Sequence, residues 1–140
     1  MASKPSYKNK IQKELQLFII DPPPGISVDA AQAVQDPNIW IINMQGVDGT
    51  LYEGEQFQLN IKFGSKYPFK PPKVKFVGQN IPVYPFVYDN GHIHLSNLAD
   101  DWSPVLTIKS VCLSIQSMLS CCKYKKKPGL KEFFRKSCYF

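Results

Sequence analysis

The sequence predicts an α+β domain in which an antiparallel meander of strands is covered on one face by helices. Three observations predict it: an amphipathic helical pattern near the start, alternating apolar and polar stretches joined by short turns in the middle, and a second apolar stripe at helical spacing late in the chain. With 140 residues, 44% hydrophobic and 13% aromatic, the chain has the length for one domain with a real core and not for two. The expected organisation is a single domain over 1–140, with its core in about 5–122 and a basic C-terminal segment over 123–140.

Between Pro5 and Ile20, apolar residues at Tyr7, Ile11, Leu15, Phe18 and Ile19 recur at helical spacing, while Lys8, Lys10 and Lys13 fall mostly on other faces. That is an amphipathic first helix. It must stop at Asp21-Pro22-Pro23-Pro24-Gly25, because three prolines lack the amide donors a helix requires and clash with the preceding turn. A weakly alternating stretch, Ile26 to Ala30, leads through Asp36-Pro37 to the apolar run Ile39-Trp40-Ile41-Ile42-Asn43-Met44, which reads as a strand inside the sheet. Val47-Asp48-Gly49-Thr50 is a turn. Phe57-Gln58-Leu59-Asn60-Ile61-Lys62-Phe63 alternates strictly, so one of its faces is buried, and Lys73-Val74-Lys75-Phe76 repeats the pattern more briefly. A second helix starts from Thr107 as N-cap, because Ile108, Val111, Cys112, Ile115, Met118, Leu119 and Cys122 trace one continuous stripe. The same stripe places Cys112 in the core and not among nucleophiles.

From Gln79 to Val105 neither period is visible, yet the stretch contains Tyr84, Phe86, Tyr88, His92, His94 and Trp102. Long ordered loops in small domains usually carry function, so the functional site is expected here. An Asn90-Gly91 turn divides the stretch, and Asp100-Asp101-Trp102-Ser103-Pro104 closes it before the second helix.

Composition excludes several classes. No apolar run approaches the roughly 18 residues of a membrane span, and Met1-Ala2-Ser3-Lys4-Pro5 has no adjacent signal-type apolar stretch, so a soluble chain of the cytoplasm or nucleus is expected. The four cysteines, Cys112, Cys121, Cys122 and Cys138, show no C-x-x-C spacing and are expected to stay reduced. The net charge of +6 is concentrated at the two ends, with a mildly acidic body between them. Lys123-Tyr124-Lys125-Lys126-Lys127 could touch a polyanion, but charge runs are usually solvated faces, and neither nucleic acid nor membrane is expected as a partner. His92 and His94 form a His-x-His pair without a third or fourth ligand placed by the sequence, so neither a metal nor a cofactor is expected.

Several segments coincide with one family. Tyr67-Pro68-Phe69-Lys70-Pro71-Pro72-Lys73-Val74-Lys75-Phe76, then Asn90-Gly91-His92-Ile93, then Trp102-Ser103-Pro104 running into the second helix resemble a ubiquitin-conjugating enzyme in order and spacing. Asp21-Pro22-Pro23-Pro24-Gly25 and Gly49-Thr50-Leu51-Tyr52-Glu53-Gly54 agree, so the resemblance covers roughly residues 8–122. Ile81-Pro82-Val83, Asp101 to Pro104 and Ser110 to Ile115 read like the W-type branch, whose members modify protein amino termini, and Phe134 to Cys138 echoes its C-terminal region. The implied fold is that of the family: N-terminal helix, four-stranded antiparallel meander, long active-site loop, central helix and a shortened C-terminal region.

The resemblance also implies a missing nucleophile. In that family the residue two after the histidine of Asn-Gly-His-Ile is the cysteine that carries ubiquitin as a thioester, and here it is His94. Thioester carriage needs a sulfur whose acyl adduct resists water yet yields to amines, whereas an acyl-imidazole hydrolyses readily. Family members commonly carry His-Pro-Asn upstream, its asparagine supporting the oxyanion, where this chain reads Tyr84-Pro85-Phe86. The W-type branch already lacks that asparagine, but Phe86 offers no side-chain donor at all.

By the same resemblance, Asn90, His92, Leu95, Asp100 and Asp101 surround the family's active site; Phe69, Ser103 and Pro104 match its ligase-docking loops; and Lys8, Lys10 and Lys13 match its surface for the activating enzyme. Core packing is the rival role for Phe69, and a solvated helix face for the lysines. The implied function is a non-catalytic family variant binding ubiquitin or a ubiquitin-like protein, a ubiquitin ligase, or an active conjugating enzyme. The alternative is an active conjugating enzyme, working through Cys121, Cys122 or Cys138, or with His94 an introduced substitution of a native cysteine.

Overall fold

In the computed structural model, which describes residues 6–123, helix α1 spans Ser6–Ile20. It buries Ile11, Leu15 and Phe18, while Ile19 is 48% exposed and so lies off the buried stripe assigned to it. The reason is angular: Leu15 and Phe18 already define the inward face, and a residue immediately after Phe18 is turned about 100° away from it. The triple proline follows, and the sheet begins with β1, Ile26–Val28.

Between β1 and β2 the chain forms a short helix, α2, Ala30–Gln35, which the periodicity does not reveal. Six residues are too few to show a 3.6-residue repeat, and Ala33 alone of them is buried. The local signal is its cap, Asp29, whose side chain accepts a hydrogen bond from Gln32 N at 3.1 Å.

Strands β2 (Ile39–Gln45), β3 (Gln56–Lys62) and β4 (Lys73–Val77) complete a four-stranded antiparallel meander in the order β1-β2-β3-β4. Trp40 pairs with Ile61, Ile42 with Leu59 and Leu59 with Phe76, so the apolar positions share one face. Helix α3, Ile108–Ser120, joins that face with Ile108, Val111, Cys112, Ile115, Met118 and Leu119, and Cys122 just beyond it is buried too. Thr107 caps α3 as expected, in a reciprocal box with Ser110. Edge-to-face rings, Phe18 on Trp40 and Trp40 on Phe63, link α1 to the sheet. The opposite sheet face is polar, with Gln58 Nε2 donating to Asn43 Oδ1 at 3.1 Å.

One buried charge ties these elements together. Glu14 on α1 is 9% exposed; its Oε1 accepts from Ile108 N at 2.7 Å and its Oε2 from the Tyr67 hydroxyl at 2.5 Å. The carboxylate thus sits on the N-terminus of α3, where unpaired amides and the helix dipole favour negative charge. Burial, and then the bond to Glu14, raise the Tyr67 phenol well above the usual tyrosine range.

No helix among the described residues is long and apolar enough to cross a membrane. The basic segment 124–140, the shortened C-terminal region expected for it and Cys138 lie outside the described residues.

Candidate functional site

The stretch after β4 is built on a glycine. Gly91 has φ +89°, and a Cβ there would lie 1.9 Å from the carbonyl oxygen of Phe76, so backbone meets backbone with no room for a side chain. The close approach lets Phe76 N donate to Gly91 O at 2.8 Å and sets Lys75 opposite His92 in an antiparallel bridge. The loop therefore runs along the outer edge of β4. Asn90 shapes the turn itself, its Oδ1 accepting from His92 N at 3.1 Å.

A tight hairpin then positions His94. Tyr88 N donates to His92 O at 2.9 Å, Val87 bridges Ile93, and His94 N donates to Phe86 O at 2.7 Å. Val87 is buried and Ile93 half-buried, which leaves His94 on the opposite, solvent side of the ribbon. Its ring lies against half-buried Phe86, centroids 6.0 Å apart, and Phe86 in turn packs edge-on against Tyr84 at 5.4 Å. The imidazole is thus exposed, anchored by its backbone, and walled by an aromatic side chain that has no hydrogen to donate.

Beyond His94, Leu95 packs half-buried against the core and precedes one turn of 3₁₀ helix, Ser96–Leu98. Asp101 N donates to Ser96 O at 3.0 Å, so Asp100 and Asp101 stand exposed at the end of a closed loop. Asn97, which sequence reasoning passed over, reaches α3: its Nδ2 donates to Ser114 Oγ at 3.0 Å. Its Oδ1 is buried with no hydrogen-bond partner among the described residues.

The two loops holding Phe69 and Ser103-Pro104 are joined directly. Trp102 Nε1 donates to Pro68 O at 2.8 Å, and the Trp102 and Tyr67 rings lie 5.9 Å apart. Phe69 is 73% exposed, so core packing does not explain it, and Pro104 is exposed while Ser103 is half-buried. Val105, at 84% exposure, extends the apolar surface and was not singled out from the sequence, where its apolar character pointed inward. On α1, Lys8 and Lys13 are exposed, whereas Lys10 is ion-paired to Glu14 at 3.1 Å and lies 5.9 Å from the Tyr67 ring centre.

The cysteines divide by environment. Cys112 is fully buried, and burial pushes its thiol up to about 12, so little thiolate exists at neutral pH. Cys122 is also buried, against the Tyr52 hydroxyl. Cys121 sits at the exposed end of α3 and is disulfide-bonded. This corrects the expectation that every thiol stays reduced; an accessible sulfur at a helix end can pair where a core thiol cannot. Neither Cys112 nor Cys122 is exposed.

With this geometry in place, similarity to known proteins identifies the framework. The family described as "Ubiquitin-conjugating enzyme" matches residues 10–138. The chain is 51% identical over 133 residues to "Probable ubiquitin-conjugating enzyme E2 W-A" of Danio rerio, covering 95% of this chain and 88% of that protein. It is 46% identical over 129 residues to "Ubiquitin-conjugating enzyme E2 W" of Caenorhabditis elegans, covering 92% and 85%. Among solved structures, the ubiquitin conjugating enzyme E2 UbcA1 from Agrocybe aegerita superposes with a TM-score of 0.83 at 35% identity, over 95% of this chain and 96% of that one.

Proposed function

Because the chain belongs to the ubiquitin-conjugating enzyme family, within its W branch, we propose that it acts in ubiquitin conjugation as a non-catalytic member whose thioester position is His94. The observation that carries this reading is the presentation of His94: an exposed imidazole on a pinned hairpin, with Phe86 beside it. An imidazole there could attack an activated acyl group. The resulting acyl-imidazole would be hydrolysed by water at this open surface before an amine was engaged, and free ubiquitin would be released. Phe86 gives the developing oxyanion no side-chain donor.

The environment of the remaining thiols supports the same reading. A substitute nucleophile must be exposed and partly ionised; Cys112 meets neither condition, and Cys122 is buried. What is left intact is a binding framework. Phe69, Pro104 and Val105 offer an exposed apolar surface on two stitched loops, suited to a ubiquitin ligase. Lys8 and Lys13 offer exposed charge on α1 for an activating enzyme, while Lys10 serves Glu14. Such a protein would occupy ligases or ubiquitin without transferring it.

Incubation with activating enzyme, ATP and ubiquitin, read on a non-reducing gel, tests the proposal. The native chain should form no thiol-sensitive adduct, and His94→Cys should form one. A thiol-sensitive adduct on the native chain would overturn the reading in favour of an active enzyme.

A further inference from the structure

A cavity of about 610 Å³ lies on the polar side of β3 and β4, where the hairpin residues His92 and Ile93 meet the sheet. Its charge is of one sign: Lys62, Lys73 and Lys75 line it, beside His92, and no acidic residue does. Lys62 and Lys73 are direct register partners on β3 and β4, and Lys75 stands opposite both Asn60 and His92. Like charges placed directly across a strand pair repel each other, and none of these lysines has a carboxylate partner among the described residues. A bound anion would relieve that repulsion. Half-buried Pro71, Ile93 and Leu98 add apolar lining.

We propose that this cavity binds a phosphorylated peptide segment, its phosphate held by Lys62, Lys73 and Lys75 and its apolar side chains laid on Pro71, Ile93 and Leu98. The volume lies within the range of organic-ligand pockets and far exceeds one phosphate group, which requires a ligand with a body as well as a charge. With no arginine in the lining and His92 as its one aromatic ring, the cavity offers little of the stacking surface that the bases of a nucleic acid would need. His92 lines the cavity two residues from His94, so a bound segment would lie alongside the exposed imidazole. The site thus selects phosphorylated partners for the surface next to His94, and it does so whether or not His94 carries an acyl group.

Fluorescence polarisation with a short fluorescein-labelled peptide containing one phosphoserine, aspartates and leucines tests this on the full chain. Binding should weaken as NaCl is raised from about 50 to about 300 mM. The double variant Lys62→Gln/Lys75→Gln should bind about tenfold more weakly, while Lys66→Gln, which removes an exposed lysine outside this cavity, should retain native affinity. Circular dichroism of the variants, altered only at exposed positions, checks that the fold persists. Equal binding of the unphosphorylated peptide, no peptide binding, or unchanged affinity in the double variant would each overturn the proposal. So would inorganic phosphate competing at concentrations equal to the peptide's Kd, or a single-stranded oligonucleotide binding more tightly than the peptide.

Discussion

Replacing Glu14 with alanine removes one carboxylate and leaves two buried donors, Ile108 N and the Tyr67 hydroxyl, without their acceptor. Hydrogen bonds to a charged group contribute about 1.5–3 kcal/mol each. Two of them set an upper range, from which the desolvation cost of the buried carboxylate must be subtracted. The Lys10 ion pair adds at most about 0.5 kcal/mol, because Lys10 is partly exposed and precedes Glu14 by four residues, the weaker orientation. The expected net loss for Glu14→Ala is about 3 kcal/mol, or a fall in Tm of about 10 °C for a domain of this size. Glu14→Gln, which keeps one acceptor, should cost about half as much, and Tyr67→Phe about 1–2 kcal/mol. Urea denaturation followed by circular dichroism gives each value, and the Glu14→Gln/Tyr67→Phe cycle should show a coupling of about 1 kcal/mol. A loss below about 0.5 kcal/mol for Glu14→Ala would refute the view that this carboxylate fastens α1 to α3 and to the loop before Phe69.

Gly91→Ala should destabilise the chain by about 3 kcal/mol, because a positive φ and a backbone clash with Phe76 add together. Gly49→Ala, with a similar φ of +83° but nothing within 4 Å, should cost only about 1 kcal/mol; equal losses by denaturant titration would remove the clash from the account. Cys112 should resist thiol reagents at pH 8 in the native protein and react once urea unfolds it, as mass mapping of the labelled peptide would show. Its folded pKa is about 12 against an unfolded value of 9.0, so above pH 9 the unfolded chain sheds the proton that the folded chain keeps. Stability should therefore fall as pH rises from about 9 toward 12, and Cys112→Ala should lose this contribution to the fall.

Much of the architecture is readable from the residues alone. The alternation in Phe57 to Lys62 and the stripe from Ile108 to Cys122 specify strand and helix, because burying one face requires a repeat that matches the backbone period. The triple proline and Gly91 mark stops and turns by local sterics, which need no distant partner. Resemblance to a family added the proposed meaning of His94, which periodicity alone showed only as one of two histidines in a long loop. Other features came only with the tertiary structure. Glu14 looks like one acidic residue on a basic helix until α3 and Tyr67, distant in sequence, bring it two donors. Phe69 kept core packing as a rival to its docking role, and Val105 was not singled out, until the structure exposed both on loops joined by the Trp102–Pro68 bond. Lys62, Lys73 and Lys75 are scattered lysines in the sequence until strand register and the Gly91 approach gather them, with His92, round one cavity. Periodicity determines which face of an element is buried; only the packing of elements decides which side chains, far apart in the chain, meet.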